Sequence, residues 1–184
     1  MSDGLAKLTL GALPAEASRK WPHSEALVFN DRRWTYEAFD AEVNEVAKAL
    51  INTGVKHGEH VAVWVTNRPE FLFIFFAVIK IGAVIFPLNT RYRVNDLNYA
   101  LRQSDCVTLI TVNRGGAIDF GAMVRDVLGP VQTGSGKNIR STACPLLHRI
   151  IMVDEGDLPG RAHQFSAPTV FQAGARFIDE EIDG

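Results

Sequence analysis

The chain has 184 residues, 47% of them hydrophobic and 22% charged, with 19 basic and 21 acidic residues giving a formal net charge of −2. Those proportions exclude a disordered, collagen-like or coiled-coil chain, and the near balance of charge gives neither a nucleic-acid footprint nor an acidic tail. At this length one core, or one core plus a tail, is expected, and it can form without covalent staples.

In chain order, residues 10–20 predict a short helix that stops at Trp21-Pro22. Residues 25–30 (EALVFN) predict a strand, Asp31-Arg32 a turn, and residues 33–35 the return strand of a hairpin. From Tyr36 to Thr53 the apolar positions Tyr36, Phe39, Val43, Val46, Ala47, Leu50 and Ile51 fall at helical spacing. The opposite face carries Glu37, Asp40, Glu42, Glu45 and Lys48, with Thr35 as N-cap and Gly54 as terminator. Residues 60–66 (HVAVWVT) form a strand apolar on both faces, as a covered parallel sheet requires.

The alternation then repeats. Residues 69–81 predict a helix with Pro69 in its first turn, residues 83–88 a strand, and residues 95–104 a helix with Leu97, Ala100 and Leu101 inward. Residues 107–112 predict a strand, 118–128 a helix and 148–153 a last strand. Residues 129–140 and 156–168 read as polar loops, residues 170–174 as one helical turn, and the chain closes in the acidic run Asp179-Glu180-Glu181 with Asp183. The fold class is therefore α/β, a largely parallel sheet with flanking helices and a small N-terminal β-hairpin, its crossovers right-handed. The expected layout is an N-terminal helix and lead-in over 1–24, a main domain over 25–155, and a loop-rich acidic tail over 156–184.

Residues 71–86 (FLFIFFAVIKIGAVIF) call for a membrane test. The 16-residue stretch contains Lys80 and Gly82 and lies between Pro69 and Pro87. A spanning helix needs about 20 apolar residues, so a buried helix running into a strand is expected instead of a transmembrane segment. Cys106 and Cys144 form no CxxC pair, and the N-terminus has no basic region followed by an apolar stretch; both features point to the reducing cytoplasm.

No motif completes a catalytic constellation. The loop Thr133–Lys137 (TGSGK) lacks the Walker A pattern, with Val131 where the first glycine belongs and Asn138 after the lysine. His57 and His60 sit in a glycine-bearing turn rather than at metal-ligand spacing on a helix, and His23, His148 and His163 are scattered. Cys106 reads as a small buried residue, the acidic run at 179–183 as a solvated face, and Arg91-Tyr92-Arg93 as too short a patch for nucleic acid. The site assignment from the residues is therefore none for catalysis, none for cofactor binding and none for metal.

The ordered motifs nevertheless carry a resemblance. Thr35-Tyr36 opens a helix, Gly54 and Gly58 precede a strand, and Asn67 with Glu70 opens the next helix. Then come Lys80-x-Gly82-Ala83, Pro87-Leu88-Asn89-x-Arg91 and the Leu97-x-Tyr99-x-Leu101 helix. In that order and spacing, over residues 25–112, the chain resembles the N-terminal region of the AMP-forming acyl-CoA synthetases. These belong to the adenylate-forming family that also holds acetyl-CoA synthetase, aryl-CoA ligases and beetle luciferase. The resemblance implies activation of a carboxylic acid, a fatty acid in the first instance, by ATP with Mg2+, followed by transfer to coenzyme A. The family's phosphate loop ending in Pro-Lys-Gly, its adenine segment, its ribose-binding aspartate, its hinge and its C-terminal lysine match no position here. Gly54 and Gly82 are expected to permit tight turns, Pro87 to end a strand, and Tyr36 and Tyr99 to pack helices. The expectation is a fragment that ends before the phosphate loop, is inactive alone and binds none of these cofactors by itself. It would be marginally folded and prone to self-association through uncovered apolar surface. Two alternatives are a non-catalytic module that docks on an intact synthetase, and a membrane-associated protein using residues 71–86.

Overall fold

A computed structural model describes residues 8–133 and 139–153, which divide into two compact units: residues 8–58 with 67–83, and residues 59–66 with 84–133 and 139–153.

In the first unit a 3-10 turn, Leu10–Ala12, runs directly into α1 (Leu13–Lys20), with Pro14 in the first turn where its missing N–H costs nothing. Strands β1 (Glu25–Phe29) and β2 (Arg32–Thr35) form the expected hairpin. Its turn differs from the expectation. Phe29 pairs with Arg32, so Asn30-Asp31 makes the turn and Arg32 belongs to the ladder. Asn30 adopts φ 52°, a left-handed conformation that asparagine tolerates better than most residues.

Helix α2 (Tyr36–Asn52) starts at Thr35, whose Oγ1 accepts a hydrogen bond from the Ala38 N–H at 3.2 Å. It ends in a Schellman motif: Val55 N–H donates to Leu50 O at 3.0 Å, Gly54 N–H to Ile51 O at 2.9 Å, and Gly54 has φ 86°. Phe39, Val43, Val46, Ala47 and Leu50 are buried, the stripe the periodicity predicts. Helix α3 (Pro69–Lys80) has no exposed residue, which explains a sequence apolar on every side. Its Phe73 meets Trp34 at 5.7 Å and Phe39 at 5.4 Å, edge to face. The lysine within the apolar run is accounted for: Lys80 Nζ pairs with Asp40 Oδ1 of α2 at 3.0 Å. The run is thus a 12-residue helix, buried or half-buried along its length, that leads to a strand exposed at Val84 and Phe86, and among the described residues no helix is long and apolar enough to cross a membrane. The same Schellman motif closes α3, with Ala83 N–H donating to Val78 O at 3.1 Å and Gly82 N–H to Ile79 O at 3.0 Å.

The second unit is built on β3 (His60–Trp64), β4 (Val84–Pro87), β5 (Thr108–Val112) and, after several short elements, the last strand. Between them lie α4 (Val94–Gln103), the two-residue strands β6 (Arg114–Gly115) and β7 (Ile118–Asp119), α5 (Phe120–Leu128), β8 (Gln132–Thr133), β9 (Ile139–Arg140) and then β10 (Arg149–Val153). The main sheet has the order β10-β5-β3-β4 and every pair in it is parallel. Val61 to Trp64 and all of β5 are buried.

Two local expectations change. Ile118 and Asp119 pair with Gly115 and Arg114 as a small antiparallel ladder, so the helix starts at Phe120, capped by Asp119 Oδ1 accepting from the Ala122 N–H at 2.7 Å. Within the expected loop 129–140, Gln132 pairs with Arg140 and Thr133 with Ile139. At the amino ends of the strands, Arg149 Nη1 donates to Thr108 Oγ1 at 2.5 Å and lies 3.2 Å from Glu59 Oε2. His60 Nδ1 lies 2.7 Å from the Ser104 carbonyl oxygen.

Two glycines separate backbone cost from steric cost. Gly58 (φ 79°) has open space where a Cβ would go, whereas at Gly82 (φ 75°) a Cβ would run into the His57 ring. Gly58→Ala is expected to lose about 1–2 kcal/mol, the left-handed penalty alone. Gly82→Ala must also push the exposed His57 ring aside and is expected to lose somewhat more, roughly 2–3 kcal/mol. Urea-unfolding midpoints of the two variants measure the difference; equal losses would contradict the packing described for Gly82.

Candidate functional site

Ligands of open parallel sheets bind beyond the carboxyl ends of the strands, so that edge of the second unit is the place to look. Trp64, the last residue of β3, organises it and is fully buried. Its indole N–H donates to the Asn89 carbonyl at 3.0 Å, beyond the end of β4. Its carbonyl accepts from Thr111 Oγ1 of β5 at 3.0 Å, and its ring meets Phe120 of α5 edge-on at 4.5 Å between centroids. One residue, through its ring, indole N–H and backbone carbonyl, thus ties two neighbouring strand ends and the start of a helix to β3. Gly115 closes the arrangement: a Cβ there would lie 2.7 Å from both Thr66 Cγ2 and Phe120 Cε2.

The rim is polar. Asn89, Arg91, Asn113 and Arg114 are exposed. Asn89 Oδ1 accepts from the Arg91 N–H at 2.9 Å, and Asn89 O also accepts from the Tyr92 N–H at 3.0 Å, fixing the chain as it leaves β4. Arg114 Nη2 lies 3.3 Å from Asp119 Oδ2. These residues offer amide and guanidinium donors that can orient a polar or anionic group; they do not form a nucleophile with a positioned base.

The motifs singled out in the sequence lie elsewhere. Thr133 ends β8, and 134–137, the rest of the TGSGK loop, lie outside the described residues. His163, the turn at 170–174 and the acidic run at 179–183 also lie outside them. His57 packs against Gly82, His60 faces the Ser104 carbonyl, and His148 Nδ1 lies 3.1 Å from Leu146 O. His23 is exposed, with Nδ1 3.9 Å from Glu37 Oε2. Among the described residues no three of His, Cys, Asp and Glu converge on a point that would hold a metal. Arg91 and Arg93 are exposed, and the backbone N–H of Arg93 donates to Asp96 Oδ2 at 3.0 Å to start α4.

Cys106 and Cys144 are buried free thiols, and burial pushes both thiol pKa values up. Cys106 is thus the small buried residue its position predicts. Tyr99 is a correction. It is 68% exposed rather than packed, because Leu97, Ala100 and Leu101 define the inward stripe of α4 and put residue 99 on the opposite flank. There it lines a surface groove of about 440 Å³ with Asn95, Asn98, Arg102 and Gln103. Tyr36 is half-buried, its ring 6.4 Å from Trp21. Residue patterning did not single out Trp64, although a tryptophan ending a wholly apolar strand was a signal for it.

Comparison with known proteins gives the class. The family model described as AMP-binding enzyme matches residues 14–170. The chain is 33% identical over 157 residues to the acyl-CoA synthetase-like protein YngI of Bacillus subtilis, an alignment covering 84% of this chain and 29% of that protein. It is 27% identical over 158 residues to the medium-chain acyl-CoA ligase ACSF2, mitochondrial, of Danio rerio, covering 85% of this chain and 25% of the relative. Among solved structures, the N-terminal domain of FACL13 from Mycobacterium tuberculosis superposes with a TM-score of 0.65 at 23% identity, over 79% of this chain and 34% of that one. The chain belongs to the AMP-binding enzyme family and is homologous to its acyl-CoA synthetases, and it spans less than a third of the length of these curated relatives. The expected α/β fold class and family resemblance are both met.

The two buried thiols yield a prediction. With both pKa values raised, thiol reagents at pH 8 are expected to leave Cys106 and Cys144 unmodified in the native chain and to titrate both after denaturation. Because the folded thiols ionise later than unfolded ones, their linkage contribution is constant below the ordinary thiol range, about pH 8.5. It is lost as pH rises through and above that value. Rapid native labelling of either cysteine would contradict the burial described.

Proposed function

We propose that these residues are the N-terminal part of an AMP-forming acyl-CoA ligase and that the catalytic segments lie in parts of the family's length the chain does not span. The observation that carries the reading is the family match over residues 14–170 together with relatives named acyl-CoA synthetase or ligase, of which the chain covers 29% and 25%. In the whole enzyme a carboxylate oxygen attacks the α-phosphorus of ATP and the bond to pyrophosphate breaks, leaving an acyl-adenylate. The sulfur of coenzyme A, its proton passing to solvent, then attacks the acyl carbon and AMP departs. ATP, Mg2+ and coenzyme A are the proposed cofactors and a fatty acid the proposed substrate class; Mg2+ offsets phosphate charge in a step that depends on positioning and electrostatics. A cytoplasmic location fits the two free thiols.

On this reading the role of residues 14–153 is architectural. The edge organised by Trp64 gives the rest of the ligase a rigid, hydrogen-bonded base, and no reacting group of the chemistry is drawn from it. The exposed Val84 and Phe86 on β4 are the proposed surface for self-association of the isolated chain.

Isothermal titration of the purified chain with Mg2+-ATP, run beside a pyrophosphate-release assay with mixed fatty acids and coenzyme A, is expected to give neither heat of binding nor turnover. Saturable ATP binding, or pyrophosphate released in step with acyl-CoA, would overturn the reading and place a nucleotide site within these 184 residues.

A further inference from the structure

The first unit holds a carboxylate that the functional reading does not use. Glu70, in the first turn of α3, is 3% exposed. A charge so deeply buried persists only if paired and hydrogen-bonded. Here Arg68 Nε donates to Glu70 Oε2 at 2.8 Å, and Arg32 Nη1 of β2 stands 3.6 Å from Oε1. The two oxygens therefore face two different partners. Arg68 precedes the helix on the same stretch of chain, whereas Arg32 comes from the hairpin. The carboxylate also lies at the helix N-terminus, where negative charge is favoured.

Arg32 is held a second way. Its guanidinium carbon lies 4.5 Å from the centre of the Trp34 ring, two residues along the same strand face. Trp34 in turn packs edge-on against Phe73, one helical turn beyond Glu70. An i, i+2 pair on the strand thus meets an i, i+3 pair on the helix: Arg32 on Glu70, and Trp34 on Phe73. Of all the residues from Glu25 to Thr35, only Trp34 is buried; the others are exposed or half-buried. The hairpin runs directly into α2 and leans on it, but it buries one side chain of its own, and segments so lightly buried open locally before the core does.

We propose that Arg32, Glu70 and the Trp34–Phe73 contact form a clasp that holds the β1–β2 hairpin on α3, so that the hairpin opens and closes as a unit whose equilibrium is set by the Glu70 charge. Loss of that charge leaves Arg32 without its partner and leaves Trp34 as the sole buried anchor. The hairpin then detaches while α2 and the main sheet stay closed. The proposal is independent of the ligase reading and stands or falls on the first unit alone.

Hydrogen exchange followed by mass spectrometry on the full chain tests it, with Glu70→Gln, Arg32→Gln and the double variant. Glu70→Gln keeps the shape and removes the charge. Exchange of peptides covering residues 25–35 is expected to speed up by on the order of tenfold in either single variant, with peptides from β3 and β5 unchanged. The double variant is expected to be no faster than Arg32→Gln, which already removes both the Glu70 pair and the stacking on Trp34. Arg32→Lys, which keeps the charge but not the planar face over Trp34, should fall between wild type and Arg32→Gln. Unchanged hairpin exchange in Glu70→Gln, an equal rise across the sheet, or effects that multiply in the double variant would each overturn the clasp.

Discussion

Parallel strands cannot be joined by a tight turn, and the architecture follows from that restriction. Each successive pair among β3, β4, β5 and β10 must be connected by a crossover, and the inner strands β3 and β5 must be apolar enough to lie under cover. The chain therefore leaves β3 at Trp64, passes through the largely apolar helix α3, and returns to pair β4 with β3. It then passes through α4 to place β5 on the other side of β3, and through α5 to reach β10. Reversal of direction at β3 makes it the strand with neighbours added on both sides, and its carboxyl end is where a sheet of this kind offers a crevice.

Several polar groups hold this arrangement together. Trp64 spends its indole N–H on the Asn89 carbonyl and its carbonyl on Thr111. At the opposite ends of the strands Arg149 spans Thr108 and Glu59. Within the first unit, Lys80 is neutralised by Asp40 and Glu70 by Arg68 and Arg32. Buried polar groups satisfied this fully rigidify a fold and specify one packing. That rigidity is what the proposed architectural role of these residues draws on.

Most of the fold was legible because its elements carry strong periodic signals. The wet face of α2, the Thr35 cap, the Gly54 terminator and the apolar strands at 60–64 and 108–112 all announced themselves. The misses share a cause: they depend on pairings between short segments that no periodicity records. The hairpin turn fell at Asn30-Asp31 because Arg32 was needed in the ladder, and α5 began two residues late because Ile118 and Asp119 were taken by a two-residue strand. Tyr99 was misplaced for a different reason, since an aromatic residue in a helix was read as packing while its heptad neighbours already filled the inward stripe. The candidate edge was legible only in pieces, in the Pro87-Leu88-Asn89-x-Arg91 motif and in a tryptophan at the end of an apolar strand. Asn89, Asn113 and Trp64 are far apart in sequence and ordinary in type, and only strand order brings them together.

The claim on which all of this rests is the strand order with β3 between β4 and β5. Backbone NOE contacts in an isotope-labelled sample test it most directly. The account predicts contacts in the parallel pattern between Ala62 and both Leu109 and Phe86, and between Ile110 and Ile151. Contacts that pair β4 directly with β5, or an antiparallel pattern between any two of these strands, would contradict it.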